Sequence, residues 1–199
     1  MASKTESRLA HAPQHVKIIG GQWRGTKLPV IMKPDLRPTA SRTRETLFNW
    51  LQATIAGSHC LDMFAGSGVL GFEAVSRGAH AATLIDNDAQ VVSQLKQQVV
   101  RLNTQAVNII HANALQFLNQ TPDQYDTVFI DPPFHDHDLE QLLEQLIKSA
   151  CIKLHTQIYI EAPAGGLPKK LPAGLDWQRQ SRAGDCLLYT SDAADEGLG

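Results

Sequence analysis

Asp62, Gly66, Gly68, Gly71 and Asp86 are the residues whose types and spacing first suggest chemistry. Asp62 lies in the apolar run from His59 to Phe64, which has the pattern of a short buried strand. Ala65-Gly66-Ser67-Gly68 follows as a tight turn, and Val69, Leu70, Phe72, Ala74 and Val75 then fall at helical spacing. Strand, glycine turn and helix in that order build a cofactor cradle. The glycines let the backbone turn sharply and let a ligand approach it. The first helical turn offers unpaired N–H groups to an anionic group. Two cofactors suit the cradle. A dinucleotide would use Gly66, Gly68 and Gly71, with Asp86 on a ribose. S-adenosylmethionine would use the same turn. Asp62 favours the second, because a carboxylate here can face the ammonium of a bound amino acid and would repel a pyrophosphate.

Asp131-Pro132-Pro133-Phe134 is the second constellation. Two prolines stiffen the backbone and remove two N–H donors, leaving loop carbonyls to accept hydrogen bonds. Asp131 adds a carboxylate and Phe134 an aromatic plate. Acceptors beside a stacking face suit an amino group on a flat heterocycle, a nucleobase. Such an amine is a poor nucleophile, since its lone pair is delocalised into the ring. A carboxylate that gains strength as the nitrogen becomes positive lowers the barrier to its attack on a methyl group. No strong general base is needed, because the proton can leave after transfer. His135-Asp136-His137-Asp138 has alternating ligand types that rarely converge, so a solvated helix start is expected there and no metal. His111 is expected to be a strand-end packing or loop residue.

These residues must be held by a scaffold. The pattern predicts strands ending near Asp62, Asp86, His111, Asp131 and Glu161, separated by helical stretches that begin near Ser41, Ser67, Asp88, Ala114 and Asp138. Alternation of this kind implies a mainly parallel sheet with helices on both faces, whose ligands lie beyond the carboxyl ends of the strands. Asp62, Asp86, Asn113 and Asp131 all sit at such ends. Weak strands at Asp176 to Arg179 and Cys186 to Tyr189 are expected to close the sheet as an antiparallel pair. Val16 to Gly20 and Lys27 to Ile31 are expected to form a hairpin around Gln22-Trp23-Arg24-Gly25.

The chain has 199 residues, 43% of them hydrophobic and 19% charged, as expected of one ordinary globular domain. No apolar run is long enough to cross a bilayer, and the N-terminus has no signal-peptide core, so a cytoplasmic protein without membrane partners is expected. Cys60, Cys151 and Cys186 are odd in number and far apart, hence expected to be reduced and mostly buried. The net charge is −2, but residues 1–50 carry nine basic groups against three acids, which leaves −8 on the remainder. A basic lobe on an acidic body suggests a polyanion docking at one end.

With both constellations in view, the chain resembles the RsmD family of bacterial 16S rRNA (guanine-N2)-methyltransferases. The resemblance spans about Val16 to Tyr189. It rests on Ile-Ile-Gly-Gly-Gln-Trp-Arg-Gly near the N-terminus and on Arg37-Pro38-Thr39 with Arg42-Thr43-Arg44-Glu45-Thr46-Leu47-Phe48-Asn49-Trp50. It rests also on Leu61-Asp62-Met63-Phe64-Ala65-Gly66-Ser67-Gly68 and Asp131-Pro132-Pro133-Phe134. It implies a class I S-adenosylmethionine-dependent methyltransferase fold, Rossmann-like and mainly parallel, with a C-terminal antiparallel pair and a small N-terminal β-hairpin extension. The organisation expected is a flexible arm (1–15), an RNA-binding hairpin extension (16–40), the methyltransferase domain (41–189) and a disordered tail (190–199) that resembles nothing in the family.

The resemblance also implies methyl transfer to N2 of one guanine in 16S rRNA, with the rRNA naked or already assembled with ribosomal proteins, by a monomer. Asp131, Pro132, Pro133 and Phe134 become the catalytic loop. Asp62, Phe64, Gly66, Ser67 and Gly68 become contacts to the methionine end, Asp86 with Asn87 beside it the ribose site, and Asn113 and Ala114 the adenine side. Trp23, Arg24, Arg37, Arg42 and Arg44 become the RNA grip. Ser41 and Asp86 depart from the family, which often has Asp and Glu there. The chemistry of the Asp131 loop also suits an adenine N6 amine, and the glycine turn alone also suits a nicotinamide-dependent dehydrogenase.

Overall fold

The structure is a computed structural model that describes residues 15–31, 41–132, 139–163, 171–173, 175–183 and 186–193. The described residues open with a hairpin, β1 (His15–Lys17) and β2 (Lys27–Pro29), paired antiparallel. Helix α1 (Ser41–Trp50) leads to the central strand β3 (His59–Asp62). Then α2 (Val69–Ser76), β4 (Ala81–Asp86), α3 (Ala89–Arg101), β5 (Val107–His111), α4 (Ala114–Gln120) and β6 (Tyr125–Ile130) alternate. Helix α5 (Leu139–Lys148), β7 (Ile152–Pro163), β8 (Leu175–Ala183) and β9 (Cys186–Ala193) follow as the last elements among the described residues. The seven-stranded sheet runs β5-β4-β3-β6-β7-β9-β8. It is parallel from β5 to β7, and β9 and β8 close it with antiparallel pairings. Among the described residues no helix is long and apolar enough to cross a membrane.

Burial on both faces explains why the parallel strands read as continuous apolar runs. Successive side chains alternate between two cores. Cys60, Leu84, Phe129 and Tyr159 join the core under α1, α2 and α3. Leu61, Ile85, Val128, Ile130, Ile158 and Ile160 join the opposite core under α4 and α5. Helix α3 starts where the Asp88 side chain accepts from Gln90 N and Val91 N, the N-cap expected of an aspartate.

Helix α2 is buried along its whole length, from Val69 to Ser76. A helix apolar all round needs cover on its outer face as well as its sheet face, and the hairpin supplies it. Val16, Ile18, Leu28 and Val30 belong to the same core as Phe72 and Val75. Trp23 N donates to Ser76 Oγ at 2.9 Å, Ile19 N to Glu73 Oε2 at 2.7 Å, and Gln94 Nε2 of α3 to Pro29 O at 2.6 Å. The hairpin forms as the sequence predicts, but residues 16–31 are built into the main core and do not stand as a separate lobe.

Strand β9 continues to Ala193, paired with β7 and β8. Thr190, Ser191, Asp192 and Ala193 therefore belong to the sheet and not to a disordered tail. Their sequence is polar, but a strand held on both sides draws its order from backbone hydrogen bonds. Residues 1–14, 32–40 and 194–199, which include Arg37, the rest of the expected tail and all of the expected arm but His15, lie outside the described residues, and His15 itself pairs with Pro29 in the hairpin.

Candidate active site

Asp62 ends the central strand with 2% of its surface exposed. Its Oδ2 accepts from Gly71 N at 3.2 Å, across the glycine turn and into the first turns of α2. Its Oδ1 is buried with no hydrogen-bond partner among the described residues. Burial pushes the carboxyl up to about 7, opposed by the Gly71 and Phe64 N–H groups and aided by the charge of Asp86. An isolated buried carboxylate is unfavourable in the folded protein. A ligand cation beside Oδ1 would relieve that cost, and a pyrophosphate would raise it. The donor set thus fits the ammonium of an amino-acid cofactor and argues against a dinucleotide.

The turn itself is tied down. Gly68 N donates to Ala65 O at 2.6 Å, and Gly68 takes a left-handed φ of 74° as it starts α2. Phe64 and Gly66 are half-buried, and Ser67 is buried. Gly66 N donates to Asp86 Oδ2 at 3.0 Å, and Asp88 N donates to Asp86 Oδ1 at 2.9 Å. Two backbone donors therefore fix the orientation of the second carboxylate. Each oxygen keeps lone-pair capacity for a hydroxyl, since a carboxylate accepts about four hydrogen bonds. Ala112 N donates to Asp86 O at 3.1 Å, and His111 Nε2 lies 3.0 Å from Asn87 O. His111 is thus a strand-end loop contact, as its position suggests. Asn87 is exposed on this rim. Asn113 caps α4, its Oδ1 accepting from Leu115 N and Gln116 N, and Ala114 is buried behind it.

Strand register aligns the carboxylates. Asp62 pairs with Leu84 of β4 and Phe129 of β6. Asp86 and Asp131 each lie two residues further on, so all three occupy one face at adjacent strand ends. Asp131 and Pro132 are half-buried there, while Pro133 and Phe134 lie outside the described residues.

The expected RNA grip divides. Arg24 and Arg42 are exposed. Trp23 is half-buried against the core, its ring 6.4 Å from Phe72 in an edge contact, so much of it serves packing. Arg44 corrects the expectation outright, being 0% exposed. Its guanidinium donates to Lys17 O at 2.9 Å and Ser41 Oγ at 3.3 Å, and lies 3.5 Å from Glu73 Oε2. Burial lowers its pKa, and the neighbouring Glu73 charge opposes that shift. Arg77 donates to Glu73 Oε1 at 2.7 Å. A fully buried guanidinium cannot reach a phosphate. It ties α1 and the hairpin to α2. Glu73 escaped the sequence reading, although a lone acid within the apolar run Val69 to Val75 was a visible signal.

The matches to known proteins agree with this geometry. Residues 16–191 match a family model described as "Conserved hypothetical protein 95". The ribosomal RNA small subunit methyltransferase D of Escherichia coli is 44% identical over 184 residues, 91% of this chain and 92% of that one. The solved structure of Escherichia coli yhhF superposes with a TM-score of 0.82 at 37% identity, covering 92% of this chain and 99% of that chain. A Haemophilus influenzae structure gives 0.79 at 37% identity, covering 91% and 99%. The chain belongs to the family of the small-subunit rRNA methyltransferases D, and its sheet is the Rossmann-like sheet of class I methyltransferases.

Proposed function

We propose that the protein transfers a methyl group from S-adenosylmethionine to the exocyclic N2 amine of a guanine in small-subunit rRNA. The observation that carries this reading is the orphaned, buried Oδ1 of Asp62 beneath the glycine turn, with Asp86 and Asp131 at the flanking strand ends. Asp62 would hold the ammonium, Gly66, Ser67 and Gly68 the methionine end, and Asp86 the ribose hydroxyls. Asn87 would stand beside the ribose, and Asn113 and Ala114 would border the adenine. When bound, S-adenosylmethionine supplies an electrophilic methyl on a sulfonium that departs as a neutral thioether.

The rest falls to the chain. Asp131 accepts an N–H of the base amine and turns its lone pair toward the methyl carbon. Its charge stabilises the nitrogen as that becomes positive, an interaction stronger in the transition state than before it. After transfer the surplus proton passes from nitrogen to water. Arg24 and Arg42, with the positive residues 1–50, would hold RNA phosphates against an acidic body. The reading supports a protein acting as a monomer on rRNA, naked or within a small-subunit particle.

The test has two arms. Calorimetry should show binding of S-adenosylmethionine and none of NAD. Incubation with unmodified small-subunit rRNA or particles should yield N2-methylguanosine on digestion. Asp131→Ala should slow turnover about 10²–10³-fold, the effect of removing a transition-state partner, with cofactor affinity unchanged. NAD binding without S-adenosylmethionine binding would overturn the reading.

A further inference from the structure

Strand β7 carries a further carboxylate, Glu161, just past the point where its pairing with β6 ends. Ile160 pairs with Ile130, the last residue of β6, so Glu161 stands one step beyond, beside Asp131. Tyr159 pairs with Phe129, as Asp62 does. Residues two apart share a face, so Glu161, Asp131 and Asp62 rise from the same face of three neighbouring strands. Glu161 is 7% exposed, and its Oε2 accepts the Tyr159 hydroxyl at 2.9 Å. Tyr159 is itself 1% exposed and meets Phe129 edge-on, with centroids 6.2 Å apart. A rigid aromatic thus tethers one carboxylate oxygen. A carboxylate accepts about four hydrogen bonds, so Glu161 can take one from a substrate beside the partners it holds within the protein.

The substrate edge supplies the complement. Guanine presents two adjacent donors, N1–H and the N2 amine. Adenine and cytosine each place a ring acceptor beside the amine, and uracil has no amine. Neighbouring strands lie about 4.8 Å apart, a span that two adjacent donors on one base edge can bridge. We propose that Glu161 selects the base: its carboxylate accepts N1–H of the guanine whose N2 amine Asp131 accepts. This rests on the guanine-N2 reading above. An adenine in the same place would turn its N1 lone pair toward Glu161 and be repelled.

The experiment replaces the target guanosine with 2-aminopurine riboside, which keeps the 2-amine but carries a lone pair at N1. Single-turnover methylation is measured on both RNAs with the wild-type protein and Glu161→Gln. The wild type should methylate the 2-aminopurine RNA about tenfold or more slowly, the discrimination of one good base-edge contact. Glu161→Gln should lose a similar factor on guanine and little more on 2-aminopurine, with S-adenosylmethionine affinity unchanged by calorimetry. An equal loss on both RNAs, or a wild-type rate on guanine, would overturn the assignment. If Glu161→Gln does not fold, Tyr159→Phe removes the hydroxyl that holds Glu161 Oε2 and should narrow the guanine to 2-aminopurine ratio; an unchanged ratio overturns the proposal. N2-methylguanine as product with no change in that ratio removes Glu161 alone. N6-methyladenine as product would remove the parent reading with it.

Discussion

At the scale of single residues, Asp62 shows how a group can weaken the fold and serve the site. Its folded pKa of about 7 lies well above the ordinary aspartate value of 3.8. The sign follows from linkage. The folded, unliganded protein holds the proton more tightly than the unfolded chain, so this contribution is fully present below about pH 4. It is lost as pH rises through about 7. Asp62→Asn has no such loss, so its unliganded stability should gain on the wild type between pH 4 and pH 8, measured by urea denaturation. Cofactor binding should show the converse. A protonated Asp62 offers an ammonium no charge, so affinity should fall about tenfold per pH unit below pH 7, with one proton released per complex. Calorimetry in two buffers of different ionisation enthalpy reads that proton directly. Asp62→Asn should weaken binding by roughly 2–5 kcal/mol and abolish the pH dependence. Affinity flat from pH 5.5 to 7.5 would remove Asp62 from the ammonium site.

At the scale of elements, the hairpin is the outer wall of α2. Gly21 turns with a φ of 72°, and a Cβ there would run into the Ser76 carbonyl that accepts from Gln22 N. Gly25 has a φ of 86°, with nothing within 4 Å of a Cβ. Gly25→Ala should therefore cost only the left-handed backbone penalty, about 1–2 kcal/mol. Gly21→Ala should cost a further ~1–3 kcal/mol, because it pushes the hairpin off the helix. Equal denaturation midpoints would show that the hairpin is loosely held. The same docking explains what was legible in the sequence. Strand, glycine turn and helix around Asp62 could be read because each step is a local rule. The Asp88 cap and the closing antiparallel pair were legible for the same reason. The extent of β9 was not, since polar Thr190 to Ala193 is ordered by partners from β7 and β8. Nor was the inward turn of Arg44, whose partners Lys17 and Glu73 are far away in the chain. Glu161 obeyed the rule that picked out Asp62, Asp86, Asn113 and Asp131, a polar residue at a strand's end. It was passed over because its strand leads into no distinctive loop.

At the scale of the whole molecule, the question is how an acidic body holds a polyanion. The net charge is −2, and the positive excess lies in residues 1–50. Arg44 must be subtracted from it, because its charge is buried against Glu73. Among the described residues of this stretch, the exposed cations are Lys17, Arg24, Lys27 and Arg42. Arginine is the better phosphate partner of the two types, since its planar fork engages two oxygens. Arg24 sits in the hairpin turn and Arg42 at the start of α1, on elements fixed by the same buried network. That rigidity limits the entropy lost on binding. Each phosphate contact releases counterions, so log affinity falls with log salt by about 0.7 per contact for a single strand. Arg24→Ala and Arg42→Ala should each lower that slope by about this amount and leave stability within ~0.5 kcal/mol of wild type. Arg44→Ala should do the reverse. It empties a buried site and leaves the Lys17 carbonyl without its donor, while Glu73 keeps Arg77 and Ile19 N. Stability should therefore fall by ~2–5 kcal/mol, while the folded fraction keeps the wild-type slope. RNA binding across a salt series, with denaturation curves on the same variants, separates the two roles. An unchanged slope for both exposed arginines would move the grip to the far edge of the sheet, where Arg179 of β8 is exposed.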